Sequence, residues 1–449
     1  MVRIPRLGRL RITPAMTRRW RARLRVQRSW WRRQWRDSAS GEVLFPADGK
    51  GMVAVDTLSP HEGSPGGPRI AILHATAGSG HKRAAQALAD AVAAMRPEAT
   101  VREVDTLVFA SRLYRGTYAA SYNAMAARAP RLWGVLYHSW ALAPVNRGTA
   151  PVRLALDRLN LRRLVRVCER EAPEAVICTH FLPVEALSYV RGRGRLNVPL
   201  YCVITDFTAH PFWAFAHVDR YFVACSRVAE ELEGHGVDPV RIQVTGIPVD
   251  ERFARTIGRD VARARFGLDR DQPVVLLMGG GSGVGPLVEV AERVAASALA
   301  PRVIVVCGTN HRLRDEIDAL PAAMRGAVRT LGFTQEVDAL LEACDVIVSK
   351  AGGLTCSEAL IKRAPLVLFR PTPGQEVRNA QFLESEGAAV HADTIEDVEA
   401  AVTQLLSDRA VTSRMRDAQA RIAAPHAAAT IAKRVLESIP GALKKEPVS

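Results

Sequence analysis

Nowhere in the 449-residue chain is there an apolar run of the length that spans a bilayer, about eighteen residues, and no apolar leader segment follows the N-terminus. Cysteine is sparse and unpaired. The seven cysteines (Cys168, Cys178, Cys202, Cys225, Cys307, Cys344 and Cys356) show no C-x-x-C spacing, and no H-E-x-x-H occurs, which argues against a disulfide framework or a zinc site. Most sit within apolar runs such as "AVICTH" and read as small buried hydrophobes of a reducing compartment, the cytosol. The Walker A sequence and the dinucleotide pattern G-x-G-x-x-G are also missing. Residues 1–36 contain no Lys, Asp or Glu, yet hold thirteen arginines, so thirteen of the net +15 charges lie in that segment and the other 413 residues carry only +2. Asp269-Arg270-Asp271 has the form of a D-x-D metal motif, but it precedes a strand-like run where Asp is a common turn residue. No other grouping has metal-ligand spacing, so neither a bound metal nor another cofactor is expected.

Four segments emerge: a basic Arg/Trp tail and Gly/Ser/Pro-rich linker at 1–67, two globular halves at 68–245 and 246–425, and a C-terminal tail at 426–449. Both halves alternate short Val/Ile/Leu runs ("RIAILHA", "EAVICTH", "PVVLLMG", "RVIVVCG", "DVIVS") with longer amphipathic stretches. That is the pattern of fully buried parallel strands joined by helices, and predicts two doubly wound α/β domains. Ligands in such sheets bind beyond the carboxyl ends of the strands.

Five clusters fall at such strand ends. In "HATAGSGHKRAAQAL" (74–88), Gly78 and Gly80 turn the chain into a helix opened by His81, a place for an anion or for a proton-accepting imidazole titrating near neutrality. The same residues also describe a plain strand-to-helix turn with an exposed histidine. "GGGSGVGPL" (279–287) has five glycines in seven residues, more than a tight turn requires, and lets backbone close on a diphosphate. "SKAGGLTCSEAL" (349–360) carries Thr355 and Glu358 early in a helix; the carboxylate either takes the two hydroxyls of a ribose or caps the helix. "RPTPGQEVRNAQF" (370–382) clusters Gln375, Glu376 and Asn379, suited to sugar hydroxyls or to an ordinary N-terminal turn. In "ITDFTAHPFW" (204–213), Asp206 is either an acceptor-orienting base or a loop cap, and His210 either an acceptor contact or a packed histidine.

These stretches, in this order over residues 70–390, resemble the family of monogalactosyldiacylglycerol synthases and processive diacylglycerol glucosyltransferases, related to the lipid II N-acetylglucosaminyltransferase MurG. "VTGIPV" (244–249), "CGTN" and "LGFTQEVDALLEACDVIVSKAGG" add to the likeness, whereas Ala77-Gly78-Ser79-Gly80 is less glycine-rich than the family's first loop. The resemblance implies a GT-B fold, two Rossmann-like domains facing across a cleft. It implies an inverting hexosyltransferase that takes UDP-galactose or UDP-glucose, without a bound metal, and delivers the sugar to a lipid such as diacylglycerol. Carried over residue by residue, Phe333 and Thr334 lie near the base and Glu358 on the ribose. Gly280, Gly281, Ser282 and Gly283, with Gly353, Leu354 and Thr355, hold the diphosphate, and Gln375 and Glu376 the sugar. His81 is the general base or an acceptor contact, with Asp206 its rival; Gly78, Gly80 and His210 lie on the acceptor side.

The tail "WRARLRVQRSWWRRQWR" (20–36) interleaves Arg with Trp, the composition of a segment lying on an anionic membrane surface, each cation contributing on the order of 1 kcal/mol there. An organellar transit peptide, a nucleic-acid-binding arm and a disordered tail from a misassigned start share that composition; given a lipid acceptor, the membrane is the expected partner and nucleic acid is not. Tyr114, Tyr118 and Tyr122, with Trp133, Tyr137 and Trp140 beyond and Arg112, Arg115, Arg128 and Arg131 interspersed, mark an acceptor-entry surface or a packed helix face. The expected place of work is the cytoplasmic face of the membrane. Rival readings are a UDP-N-acetylglucosamine-type epimerase, a MurG-like transferase acting on a polyprenyl-linked acceptor, and a non-enzymatic binding protein.

Overall fold

The computed structural model describes residues 66–76, 79–111, 113–115, 154–281, 283 and 285–440. The Arg/Trp tail, Gly78, Ser282 and most of the aromatic stretch after Tyr114 lie outside them. The first half runs β1 (Arg69–His74), α1 (Ser79–Met95), β2 (Thr100–Asp105), α2 (Arg162–Glu171), β3 (Ala175–Cys178), α3 (Phe181–Arg191), β4 (Leu200–Val203), β5 (Arg220–Val223), α4 (Ser226–Gly234) and β6 (Ile242–Val244). The second runs α5 (Arg259–Arg265), β7 (Val274–Met278), α6 (Leu287–Ala295), β8 (Arg302–Gly308), α7 (His311–Asp318), α8 (Ala322–Arg325), β9 (Val328–Gly332), α9 (Val337–Ala343), β10 (Val346–Ser349), α10 (Gly353–Lys362), β11 (Leu366–Phe369), α11 (Gln375–Ser385) and β12 (Val390–Ala392). Helices α12 (Ile395–Ser407), α13 (Arg409–Ile422) and α14 (Ala427–Glu437) follow.

Each half is built on a parallel sheet, ordered β2-β1-β3-β4-β5-β6 and β12-β11-β10-β7-β8-β9. The central strands β3, β4, β7, β10 and β11 are buried along their whole length, as continuous apolar runs flanked by helices require. In both sheets the order reverses beside the strand that opens the half: between β1 and β3 in the first, between β7 and β10 in the second. Crossovers depart in opposite directions there, so the loops beyond the strand ends part and leave a crevice. Beyond the ends of β1 and β3 come His81, at the start of α1, and His180; beyond β7 and β10 come the Gly280 loop and Lys350–Gly352, which leads into α10. The topology alone therefore brings the chemistry-bearing segments to two matched places.

The chain passes between halves twice, and the two passes touch. Gly246 lies at φ +87°, and a Cβ there would come within 2.1 Å of Ala424 Cβ. After the second pass, α14 lies against the first half. Ile431, Ala432, Val435, Leu436 and Ile439 join one core with Ile70, Ile72, Leu88 and Val92, and Tyr201 donates its hydroxyl to Ser438 (2.5 Å). The segment that reads as a tail from 426 onward is thus, over 427–437, a helix closing the first domain. Each buried Ile, Val or Leu on it contributes about 1.5–3 kcal/mol. The Asp269–Asp271 turn is organised by Arg263, whose fully buried guanidinium donates to the carbonyls of Asp269 (2.7 Å), Arg270 (2.7 Å) and Gln272 (2.9 Å).

Candidate functional site

His81 sits in the first turn of α1, at the switch point of the first sheet. Its Nδ1 lies 2.7 Å from the carbonyl of Thr179, just beyond β3, and 3.0 Å from Thr205 Oγ1, beyond β4. The Thr179 hydroxyl returns a bond to the His81 carbonyl (2.9 Å). A carbonyl can only accept, so Nδ1 carries the proton and Nε2 keeps its lone pair. Sequence alone places the imidazole near neutral titration; the fold moves it. Burial lowers the pKa to about 4, against the Thr179 bond and with help from His74. Throughout the neutral range His81 is therefore an uncharged imidazole with a fixed ring and Nε2 as its accepting atom.

Beside it stands an aromatic group. His180 meets the His81 ring edge-on at 4.7 Å and stacks on Phe181 at 4.4 Å, and Phe181 contacts Phe212 and Trp213, each at 5.8 Å. His210 caps the short turn Pro211–Trp213 by accepting from Phe212 N (3.3 Å). Its ring is buried and packs 4.1 Å from Phe212. Tyr114, at the start of the aromatic stretch, donates its hydroxyl to Asp157 (2.5 Å).

The second half meets this surface directly. A Cβ on Gly281 would lie 3.0 Å from Ser79 Oγ, and one on Gly353 would overlap the Thr205 carbonyl at 2.0 Å. Glycine at those two positions lets the loops after β7 and β10 approach the loops after β1 and β4. Leu354 lies against Gly80, and Thr355 is partly exposed on the first turn of α10. The N-terminus of α10 therefore opens beside His81, offering unpaired N–H groups and partial positive charge to an anion.

Two charged pairs and one amide organise the contact. Glu358, on α10, is 1% exposed and pairs through Oε1 with Arg83 of α1, while its Oε2 is buried without a partner. Burial raises the Glu358 pKa to about 7, and Arg83 and Arg252 oppose the shift. Glu376 pairs with Lys350 in the loop leading to α10, and accepts from Thr372 N (2.8 Å). Asn379 is fully buried; it donates to Asp206 (2.9 Å) and Ala351 O (3.0 Å) and accepts from Phe207 N (2.9 Å). Burial lifts the Asp206 pKa to about 6, with Asn379 opposing.

His81, Asp206, Gly80, Gly281, Gly353, Leu354, Glu358 and Glu376 are thus drawn into one interface between halves, with Gly280 beside Lys350. Phe333 stands apart in the loop after β9, its side chain 73% exposed, and Thr334 accepts from Glu336 N (3.1 Å). Gln375 opens α11. Gly78 and Ser282 lie outside the described residues. Sequence reasoning missed Arg83, Lys350, Thr179 and Thr205. The first two stand inside the quoted motifs, two residues after His81 and two before Gly352, and cations beside glycine-rich turns were the available signal. Among the described residues no three His, Cys, Asp or Glu side chains gather as metal ligands would.

Comparison with known proteins falls on the same two halves. A profile for monogalactosyldiacylglycerol (MGDG) synthase matches residues 81–249, and one for the glycosyltransferase family 28 C-terminal domain matches 274–435. The chain is 33% identical over 260 residues to a processive diacylglycerol beta-glucosyltransferase of Bacillus subtilis (strain 168), covering 58% of this chain and 67% of the relative. It is 31% identical over 282 residues to the enzyme so named from Bacillus pumilus (strain SAFR-032), covering 62% and 73%. Among solved structures it is similar to Acinetobacter baumannii MurG (TM-score 0.52, 14% identity, covering 82% of this chain and 99% of that one). It is likewise similar to a UDP-GlcNAc 2-epimerase from Neisseria meningitidis bound to UDP-GlcNAc (TM-score 0.56, 12% identity, 82% and 100%). At those identities the structural likeness speaks for the fold, which is GT-B.

Proposed function

We propose a lipid hexosyltransferase on the premise that this chain belongs to the glycosyltransferase family of monogalactosyldiacylglycerol synthases and processive diacylglycerol glucosyltransferases. On this reading it moves a hexose from UDP-glucose or UDP-galactose to diacylglycerol or a related lipid, with inversion at the anomeric carbon. It works at the cytoplasmic face of a membrane, where the Arg/Trp segment of residues 20–36 binds anionic lipid. The single observation that carries the reading is the meeting of His81, neutral and fixed through Nδ1, with the N-terminus of α10, across the same contact that pairs Arg83 with Glu358.

Inverting transfer needs a base on one side of the anomeric carbon and a stabilised leaving group on the other. His81 Nε2 takes the proton of the acceptor hydroxyl as its oxygen attacks the anomeric carbon and the bond to the diphosphate breaks. The departing charge falls on the backbone amides of Gly280–Gly283 and Gly353–Thr355, with Lys350 at the Gly280 loop adding a cation. Glu358 receives the ribose hydroxyls, Phe333 lies over the base and Gln375 and Glu376 take the sugar. Phosphate charge is balanced by these groups, and no resident metal is assigned. Holding both reactants in line supplies most of the remaining acceleration.

The test is purified protein with radiolabelled UDP-glucose or UDP-galactose and vesicles of diacylglycerol and anionic phospholipid. A labelled, lipid-extractable hexosyl-diacylglycerol of β configuration is expected. Interconversion of free UDP-sugars without lipid product would replace this reading with an epimerase, and labelling of a polyprenyl-linked acceptor in a total lipid extract would replace the acceptor.

A further inference from the structure

We propose that Arg83, though carried by the first half, is a positioning residue of the nucleotide subsite: it orients Glu358 so that the carboxylate's second oxygen is presented to the vicinal diol of the donor's ribose. This rests on the transferase reading above, which gives Glu358 to the ribose but gives Arg83 no part.

Three observations carry it. Arg83 reaches across the interface and pairs with Glu358 Oε1, leaving Oε2 as the acceptor still open. That second oxygen is buried and unpartnered, on a side chain 1% exposed. Buried carboxylate oxygens without donors are rare and costly, and two adjacent hydroxyls are the donors that would satisfy this one. Finally, Arg83 and His81 lie two residues apart near the start of α1. A rigid shift of α1 away from α10 that withdraws Arg83 from Glu358 also withdraws His81 from the α10 terminus. Nucleotide capture and placement of the base are thus joined on one rigid element.

The charged groups facing Glu358 are Arg83 from α1, Arg252 and Asp250 from the segment before α5, and Asp338 from α9. Among the described residues, Arg83 is the cation in contact with the carboxylate; Arg252 is paired with Asp250 and donates to Gln335 O (2.8 Å). Removing Arg83 leaves two carboxylates and one more distant cation around Glu358, so its pKa, already about 7, rises further.

The experiment measures binding of UDP and of 2′-deoxy-UDP by calorimetry between about pH 6 and pH 9 for the full-length wild type, Arg83→Ala, Arg83→Lys and Glu358→Gln. In the wild type, UDP should bind more tightly than the deoxy analogue. Arg83→Ala should weaken UDP roughly tenfold near neutral pH, shrink the preference for UDP over the analogue, and regain affinity toward pH 9; Arg83→Lys should restore part of both. Lysine keeps the positive charge, so it also serves should the alanine variant unfold. A wild-type preference that persists unchanged in Arg83→Ala and Arg83→Lys, with the same pH profile, overturns the inference and leaves the transferase reading intact. A wild type that binds UDP without preferring it to the analogue overturns the ribose assignment itself, and this inference with it.

Discussion

Asn379 of α11 donates to Asp206 of the opposite half at 2.9 Å, and with the same side chain binds Phe207 N and Ala351 O. The amide is fully buried, so water replaces none of these bonds. One residue thus fastens the loop after β4 to the loop that starts α10. It also spends an oxygen of Asp206, which favours His81 as the base and makes Asp206 part of the fastening. Asn379→Ala strands a buried N–H and two buried oxygens, at a cost of about 2–4 kcal/mol. Urea unfolding should show that loss as a lower midpoint. Asn379→Asp should do worse at neutral pH than at pH 5, since it sets a second carboxylate against Asp206. Wild-type midpoints in both variants would mean that the two loops are not held through this amide.

His81 is uncharged above its pKa of about 4, so its ionisation does not shape activity in the neutral range. Glu358, with a pKa of about 7, does. Below that value its protonated form no longer accepts two hydroxyls, and kcat/KM for the donor should fall toward tenfold per pH unit. At saturating donor the ionised form is held by the bound nucleotide, so kcat should decline much less. His81→Ala should reduce kcat by about 10³ with UDP affinity unchanged. An acid limb that vanished in His81→Ala but survived in Glu358→Gln would reverse these two roles.

Glu358 also sets a cost in stability, whose sign follows from its raised pKa. The unfolded carboxyl titrates near 4.5 and the folded one near 7, so between those values the folded state holds the extra proton. Stability contributed by the protonated group is complete below the lower value and is lost as pH rises through the upper one. Glu358→Gln, which keeps shape and removes charge, should therefore match the wild type near pH 4.5 and exceed it at pH 8 by on the order of 3 kcal/mol. Thermal melts across that range would read the divergence. Coincident curves would mean that the Arg83 pair fully offsets the burial of the charge.

The sheets were legible because buried parallel strands leave an unambiguous mark: "VVLLM" and "RVIVVCG" admit little but a strand covered on both faces. The glycine clusters were legible for a similar local reason, since they end strands and begin helices. What stayed hidden depends on placement between distant segments. The stretch "AAATIAKRVLE" reads as a modest helix, and nothing local says that it packs on α1, more than 330 residues earlier in the chain, so that Ile431 shares one core with Ile70, Ile72 and Leu88. Arg83, Lys350 and Asn379 were in view as residues, but their partners are set by the mutual seating of two sheets. The low pKa of His81 likewise comes first from burial, under segments as distant as those of Thr179 and Thr205, and only in smaller part from His74 of its own motif.

Gly353 offers the most direct test of that seating. A Cβ there would stand 2.0 Å from the Thr205 carbonyl and 3.3 Å from Ile247 Cδ1, the first a backbone atom that no rotamer change can move aside. Gly353 has no need of a positive φ, so Gly353→Ala acts through this contact and not through backbone strain. Besides the core they share, each half has one of its own away from this contact. The halves should therefore stay folded while parting by an ångström or more along the α10–β4 contact. A shift of that size between base and leaving group costs about 10² in rate. Small-angle scattering and circular dichroism should then show a wider molecule of unchanged secondary structure, with kcat/KM down by that factor. An alanine variant as compact and as active as the wild type would mean that the loop after β4 yields to α10, and that the contact does not set the spacing of the cleft.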